Sequence, residues 1–214
     1  MSEVSHAQRA LLFFVKDPAP GRVKTRLAAD VGTGRAVEIY RALVETICAR
    51  MPRGFCQVLV HFDPAEKQPE VETWLRPLLP AGTSFIPQCA GDLGARLTHA
   101  FSHAFLSGFA KAAVIGSDCV ELDEAVIRDA FALLDTHDCA LGPTQDGGYY
   151  LLALKTSQPS LFQNVAWSTE HTCVQTLDRA RAARLRVALL PQLRDVDTES
   201  DWKIAEPTVQ NWKI

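Results

Sequence analysis

The chain has 214 residues, of which 47% are hydrophobic and 22% charged, with a formal net charge of -3. This length predicts a single domain spanning residues 1–214, and the weak negative charge argues against a protein that wraps nucleic acid. No apolar run is long enough to cross a bilayer, and residues 1–10 lack the segments of a secretory signal, so we expect a cytoplasmic protein without a membrane partner.

In chain order, short apolar runs typical of strands alternate with segments whose apolar residues have helical spacing. Strands are predicted at 10–16, 55–62, 83–88, 112–117, 139–142, 149–154 and 186–190. Helices are predicted at 33–51, 66–75, 93–110, 123–134, 169–184 and 198–205. The repeated β-α-β units predict an α/β fold, a mostly parallel sheet with helices on both faces. A Gly-Gly turn at residues 147–148 predicts one late antiparallel hairpin.

Polar residues follow five of the predicted strands, at the carboxyl ends where sheets of this kind bind ligands. They are Lys16 and Asp17, residues 88–94, Ser117 and Asp118, Asp146, and finally Asp195 with Asp197. Because parallel strands end at the same edge of a sheet, we expect these residues to surround one site.

The loop after the first strand, residues 17–26, carries three cations among Pro and Gly residues. Its Pro and Gly residues, Gly21 among them, stiffen the loop and free its backbone N–H groups, while Lys24 and Arg26 offer charges for phosphate oxygens. Val23 stands where a Walker A loop needs Gly, so that motif is excluded. The alternative is a solvated basic loop without a ligand.

Residues 88–96 place Gly91 and Gly94 on either side of Asp92, at a strand-to-helix turn. Such a turn can bring backbone close to a base or a ribose. The alternative is an ordinary helix entry in which Asp92 is the N-cap.

Several carboxylates follow buried strands and suit a cation or an acid–base role. Asp118 has the position that often holds Mg²⁺ or Mn²⁺ beside phosphates, although it could also cap a helix. Thr198 and Asp201 fit a capping box, which leaves Asp195 and Asp197 free to face the site. Asp146 is either a hairpin-turn residue or a base beside an acceptor.

Together these segments resemble a bacterial family of nucleotide-diphospho-sugar transferase-like proteins, often described as glycosyltransferases. The matching motifs run in order from about residue 10 to 202. They are Lys16-x-Pro18-x-Pro20-Gly21-x-Val23-Lys24-Thr25-Arg26-Leu27, Gln88-x-x-Gly91-Asp92-Leu93-Gly94-x-Arg96-Leu97, Gly116-Ser117-Asp118-Cys119, Gly142-Pro143-x-x-Asp146-Gly147-Gly148-Tyr149-Tyr150-Leu151, Trp167-Ser168-Thr169 and Asp195-Val196-Asp197-Thr198. Val120 departs from the family, which usually has Pro after Ser-Asp-Cys.

The resemblance implies a GT-A-like, Rossmann-like fold whose first loop embraces the phosphates of a nucleotide donor. Lys24 and Arg26 would then bind phosphate, and Gly91 and Asp92 would lie near the nucleoside. The expected donor-binding set is completed by Lys16, Gly21 and Gln88. Asp118 and Asp197 would share one divalent cation, Mg²⁺ or Mn²⁺.

The expected function is a metal-dependent transferase that uses a nucleotide or sugar-nucleotide donor and a small-molecule acceptor, with Asp146 and Asp195 as catalytic residues. Glycosyl transfer is the first hypothesis. The second is a nucleotidyltransferase that joins a nucleoside triphosphate to a phosphorylated acceptor and releases pyrophosphate. The third is a nucleotide-binding module without catalysis. No nucleic acid is expected as a partner.

Overall fold

The computed structural model describes residues 8–210 of the chain. Its strands are β1 (Arg9–Lys16), β2 (Gln57–Asp63), β3 (Ser84–Pro87), β4 (Lys111–Ile115), β5 (Cys139–Pro143), β6 (Tyr149–Leu154) and β7 (Val187–Leu189). Its helices are α1 (Thr25–Val31), α2 (Thr33–Arg50), α3 (Gln68–Leu75), α4 (Leu93–Leu106), α5 (Glu124–Leu133), α6 (Thr172–Ala182) and α7 (Glu199–Gln210). No helix in this part of the chain is long and apolar enough to cross a membrane.

The strands form one sheet in the order β3-β2-β1-β4-β6-β5-β7. β1 pairs in parallel with β2 and β4, β2 with β3, and β5 with β7. β6 is antiparallel to both of its neighbours, β4 and β5. The expected mostly parallel sheet with one late hairpin is therefore confirmed, and the other described strands end at the same edge.

The sheet is buried on both faces, as the continuous apolar runs of its central strands require. Along β1, Leu11, Phe13 and Val15 pack into one hydrophobic cluster, with residues of α2, α3, α5 and α7. Ala10 and Leu12 point to the opposite face and pack with residues of α4 and α6. This alternation follows from the two-residue period of a strand.

Several helices differ at their ends from the predicted ones; α4, for example, ends at Leu106 rather than at residue 110. The two largest differences are one helix that was not predicted and the later end of α7. α1 occupies a segment where no helix was predicted, because its seven residues are too few to give a periodic signal. Gly32, with a φ of 82°, separates α1 from α2. α7 runs to Gln210 rather than to residue 205, since Pro207 removes one helical hydrogen bond without ending the helix.

The buried His61 of β2 makes the stability of the fold depend on pH. Its side chain is buried against the ring of Phe14, 5.3 Å between centroids, and its Nε2 has no hydrogen-bond partner among the described residues. Burial, followed by the charges of His103 and His99, lowers the pKa of His61 to about 3. Between about pH 3 and pH 6.5, His61 is protonated in the unfolded chain but neutral in the folded chain. The free energy of unfolding therefore rises with pH in this window.

We expect His61→Phe to reduce the loss of stability between pH 7 and pH 5, by about 2 kcal/mol on the linkage relation. Urea unfolding of both proteins at the two pH values measures this difference. His171→Gln, at an exposed position, is the control and should behave like the wild type. An equal pH dependence in His61→Phe and the wild type would contradict the assignment.

Candidate functional site

A cleft of about 750 Å³ lies at the edge where the parallel strands end. Nine residues that the sequence predicted for the site line it: Lys16, Lys24, Arg26, Gln88, Gly91, Asp118, Asp146, Asp195 and Asp197. Gly21 and Asp92 are not among the lining residues. The structure thus gathers residues that lie up to 181 positions apart in the chain, from Lys16 to Asp197.

Lys24 lines the cleft and pairs with two of its carboxylates. Its side chain is only 4% exposed, and its Nζ lies 2.5 Å from Asp118 Oδ1 and 3.4 Å from Asp197 Oδ1. The same Nζ donates to the carbonyl of Val196 at 2.5 Å. Burial opposes the charge, but Asp118 and then Asp197 outweigh it and raise the pKa of Lys24. Lys24 therefore holds together carboxylates that follow β4 and precede α7.

The backbone of Lys24 is left-handed, with φ 49° and ψ 47°, at the start of α1. This conformation costs a residue with a Cβ roughly 1–3 kcal/mol, and such strain concentrates at functional sites. Gly21 supports the preceding turn with a φ of 76°. Arg26, which is 64% exposed, donates from NH1 to Asp197 Oδ2 at 3.2 Å. Both predicted phosphate-binding cations thus pair with carboxylates in this structure.

The late acidic segment divides as the sequence predicted. Asp201 Oδ2 accepts from Thr198 N at 2.9 Å and from Thr198 Oγ1 at 2.7 Å, so those two residues cap α7. Asp195 Oδ1 is buried and has no hydrogen-bond partner among the described residues. Burial raises the pKa of Asp195 to about 8, and the charge of Asp118 adds to this effect while Lys24 opposes it.

Asp118, Asp195 and Asp197 suit a divalent cation in chemistry. The ammonium of Lys24 bridges the carboxylates of Asp118 and Asp197. Asp195 Oδ1, which has no hydrogen-bond partner among the described residues, adds a further oxygen to the cleft. This concentration of carboxylate oxygens favours a bound cation. Within residues 8–210 no three His, Cys, Asp or Glu side chains are arranged to hold a metal by themselves. Mg²⁺ takes only one or two protein carboxylates and completes its shell with waters and phosphate oxygens, so the residues present fit.

Asp146 both stabilises the hairpin turn and lines the cleft. Its Oδ1 accepts from Thr144 Oγ1 at 2.5 Å and from Gly148 N at 3.1 Å, which fixes the carboxylate in the hairpin turn. Its Oδ2 has no hydrogen bond to any residue of the described chain. A Cβ on Gly147 would lie 2.1 Å from the carbonyl of Glu170, so only Gly lets the turn pack against this segment.

The residues just before Glu170, which packs against the hairpin turn, also line the cleft; they are Trp167, Ser168 and Thr169. Gly94 makes this possible, because a Cβ there would lie 2.9 Å from Trp167 Nε1. Ser168 has a φ of 60°, a second left-handed residue with a side chain at the cleft.

The predicted nucleoside end contains an internally bonded network. Gln88 Nε2 donates to the carbonyls of His61 at 2.9 Å and Val15 at 3.3 Å, and Gln88 Oε1 accepts from Arg96 NH1 at 2.9 Å. Arg96 also pairs with Asp63 at 3.4 Å. Gln88 therefore joins the ends of β1 and β2 to α4.

Three residues in or beside this network were not singled out by the sequence reasoning. Asp63 ends the second strand, and the strand-end rule would have found it. Arg96 lies in the quoted Gly94-x-Arg96 motif but received no role. Tyr40 accepts from Lys16 N at 2.8 Å through its hydroxyl, a contact without a sequence signal. Asp92 Oδ1 accepts from Ala95 N at 2.9 Å and caps α4, which is the alternative that the sequence left open.

A family model described as "Uncharacterized protein conserved in bacteria (DUF2064)" matches residues 46–169. A solved protein of Desulfovibrio desulfuricans G20, provisionally described as a nucleotide-diphospho-sugar transferase, is 28% identical. The match covers 96% of this chain and 98% of that chain, with a TM-score of 0.83. No curated protein matches the chain in sequence.

More distant solved structures share the fold. A cytidylyltransferase of Leptospira borgpetersenii serovar Hardjo-bovis is 14% identical, with a TM-score of 0.62 over 96% of this chain and 88% of that chain. The 4-diphosphocytidyl-2C-methyl-D-erythritol synthase of Anaerococcus prevotii DSM 20548 is 7% identical, with a TM-score of 0.61 over 96% and 100%. These likenesses agree with the expected Rossmann-like, GT-A-like fold, which is confirmed.

Proposed function

The chain belongs to the DUF2064 family, whose model matches more than half of it, and on that premise we propose that it is a transferase acting on a nucleotide-activated donor. The finer proposal is glycosyl transfer from a sugar nucleotide to a hydroxyl of a small-molecule acceptor, with Mg²⁺ or Mn²⁺. One observation carries it. Two cations of the first loop, a carboxylate cluster and an anchored Asp146 line the same cleft, and the second carboxylate oxygen of Asp146 has no hydrogen bond within residues 8–210.

The donor is proposed to lie along the first loop and the start of α4. The cleft-lining residues assigned to it are Lys16, Lys24, Arg26, Gln88 and Gly91. Gly21 and Asp92 are assigned supporting places beside it, in the turn of the first loop and at the N-cap of α4. Asp118 and Asp197 are assigned to the divalent cation, which when bound would neutralise charge developing on the leaving diphosphate. Arg26 is 64% exposed, whereas Lys24 is 4% exposed, so of these two cations Arg26 needs less rearrangement to reach a phosphate.

The acceptor is proposed to lie between the hairpin turn and Trp167. Asp146 Oδ1 is anchored by Thr144 and Gly148, so its Oδ2 has a fixed position from which to take a proton from a hydroxyl. Asp195 is assigned as a second catalytic carboxyl, because its unpartnered Oδ1 lies in the same cleft and interacts with the charges of Asp118 and Asp146.

The absence of Lys and Arg from the segments proposed to contact the acceptor favours glycosyl transfer over nucleotidyl transfer. A nucleotidyltransferase receives a phosphorylated acceptor and needs cations there. Segments 142–150 and 166–172 contain no Lys or Arg. Arg96 is bound to Gln88 and Asp63, and Arg194 is not among the cleft-lining residues. An uncharged acceptor rich in hydroxyl groups fits these walls better.

The test is the identity of the released product. A thermal-shift panel of nucleotides and sugar nucleotides, with and without Mn²⁺, first identifies the donor. Parallel assays for nucleoside diphosphate and pyrophosphate then follow turnover, and we expect nucleoside diphosphate. Pyrophosphate release that depends on a phosphorylated acceptor would instead support nucleotidyl transfer. Stoichiometric binding without turnover and without a metal requirement would support a binding module.

A further inference from the structure

The ammonium of Lys24 has its full set of partners. An ammonium has three donors, and Nζ contacts three oxygens, those of Asp118, Asp197 and Val196. With a side chain only 4% exposed, Lys24 is buried among them. In this arrangement Lys24 has no donor left for a phosphate, although it belongs to the loop that the proposed donor would occupy.

Lys24 also stands where the proposed cation would bind. A divalent cation must contact the carboxylate oxygens of Asp118 and Asp197 at about 2.0–2.6 Å. Nζ already lies between those carboxylates, at 2.5 Å from one and 3.4 Å from the other. The ammonium and the metal therefore require the same space and the same negative charge, and both cannot hold it at once.

We infer that Lys24 competes with the divalent cation for Asp118 and Asp197, and that its displacement couples metal binding to diphosphate binding. This inference rests on the proposed function, which supplies the cation and the diphosphate. The flexible four-carbon stem of lysine lets Nζ swing away while the left-handed backbone of Lys24 stays in place.

The coupling follows from the partners that Lys24 loses and gains. Metal binding alone leaves a formerly paired ammonium without its carboxylates, which is costly in a buried place. A diphosphate gives the freed ammonium new anionic partners and removes that cost. Conversely, when a diphosphate binds without metal, the ammonium of Lys24 is still paired with Asp118 and Asp197 and cannot contact it. Metal and diphosphate should therefore each strengthen the binding of the other by the same factor.

Calorimetry with Mn²⁺ alone tests the competition. Lys24→Met removes the competing charge and keeps the stem, so we expect it to bind Mn²⁺ on the order of ten-fold more tightly than the wild type. Lys67→Met, at an exposed pair with Glu70, is the control and should match the wild type. Equal affinity in Lys24→Met and the wild type would overturn the inference. If in that case Asp118→Asn still loses Mn²⁺ binding, the proposed metal site stands. If none of these proteins binds Mn²⁺, the metal assignment fails as well.

A second measurement uses the wild-type protein only and does not depend on a variant that folds. Reductive methylation with formaldehyde, read by peptide mass spectrometry, reports which lysine amines are free. We expect Lys24 to be protected without Mn²⁺ and labelled several-fold more once the metal is saturating. Lys111, buried at the start of β4 and paired with Asp135 at 2.6 Å, should stay protected throughout. Labelling of Lys24 that Mn²⁺ does not change would overturn the inference.

Discussion

Asp146→Asn is expected to lower the turnover number by about 10²- to 10⁴-fold, the usual contribution of a positioned general base. Asparagine can keep the Oδ1 that accepts from Thr144 Oγ1 and Gly148 N, so the hairpin turn should survive. It lacks the basic second oxygen, which is the group that the proposed mechanism needs. Donor affinity should change little, because Asp146 is assigned to the acceptor.

Release of nucleoside diphosphate from the donor found in the thermal-shift panel measures this effect, beside the melting temperature of each protein. Asp123→Asn is the matched control, since Asp123 also accepts a backbone N–H, that of Val126 at 3.0 Å, but caps α5. Full turnover in Asp146→Asn with an unchanged fold would leave Asp146 as a turn residue only.

Asp118→Asn and Asp197→Asn are each expected to abolish the gain in nucleotide affinity that Mn²⁺ provides, a loss on the order of 10- to 100-fold. Each change removes one negative charge from the pair assigned to the cation. Asparagine retains an oxygen for the buried ammonium of Lys24, so these variants perturb the fold less than alanine would.

Calorimetric titration of a nucleoside diphosphate, with and without Mn²⁺, gives the metal-dependent part of the affinity directly. Asp63→Asn is the control. Asp63 lines the same cleft but pairs with Arg96, so the Mn²⁺ effect should persist in that variant. If Asp118→Asn and Asp197→Asn both keep the full Mn²⁺ effect, the metal is bound elsewhere or not at all.

Much of the fold could be predicted from local patterns. Short apolar runs marked all seven described strands, and helical spacing marked the amphipathic helices apart from α1. The antiparallel β6 followed from the Gly-Gly turn before it. These elements can be predicted because the spacing of apolar residues is a local property of each strand or helix.

The composition of the cleft was also predictable, though the pairings within it were not. Residues that follow parallel strands can be placed at one edge without a structure, since parallel strands bring their carboxyl ends together: Asp118, Asp146 and Asp195 all line the cleft. The position of Lys24 Nζ between Asp118 and Asp197, and the hydrogen bond between Gln88 and Arg96, became known from the three-dimensional packing alone. Such contacts join residues as far apart as 173 positions and depend on differences of about an ångström in how loops pack, which no local pattern of residues encodes.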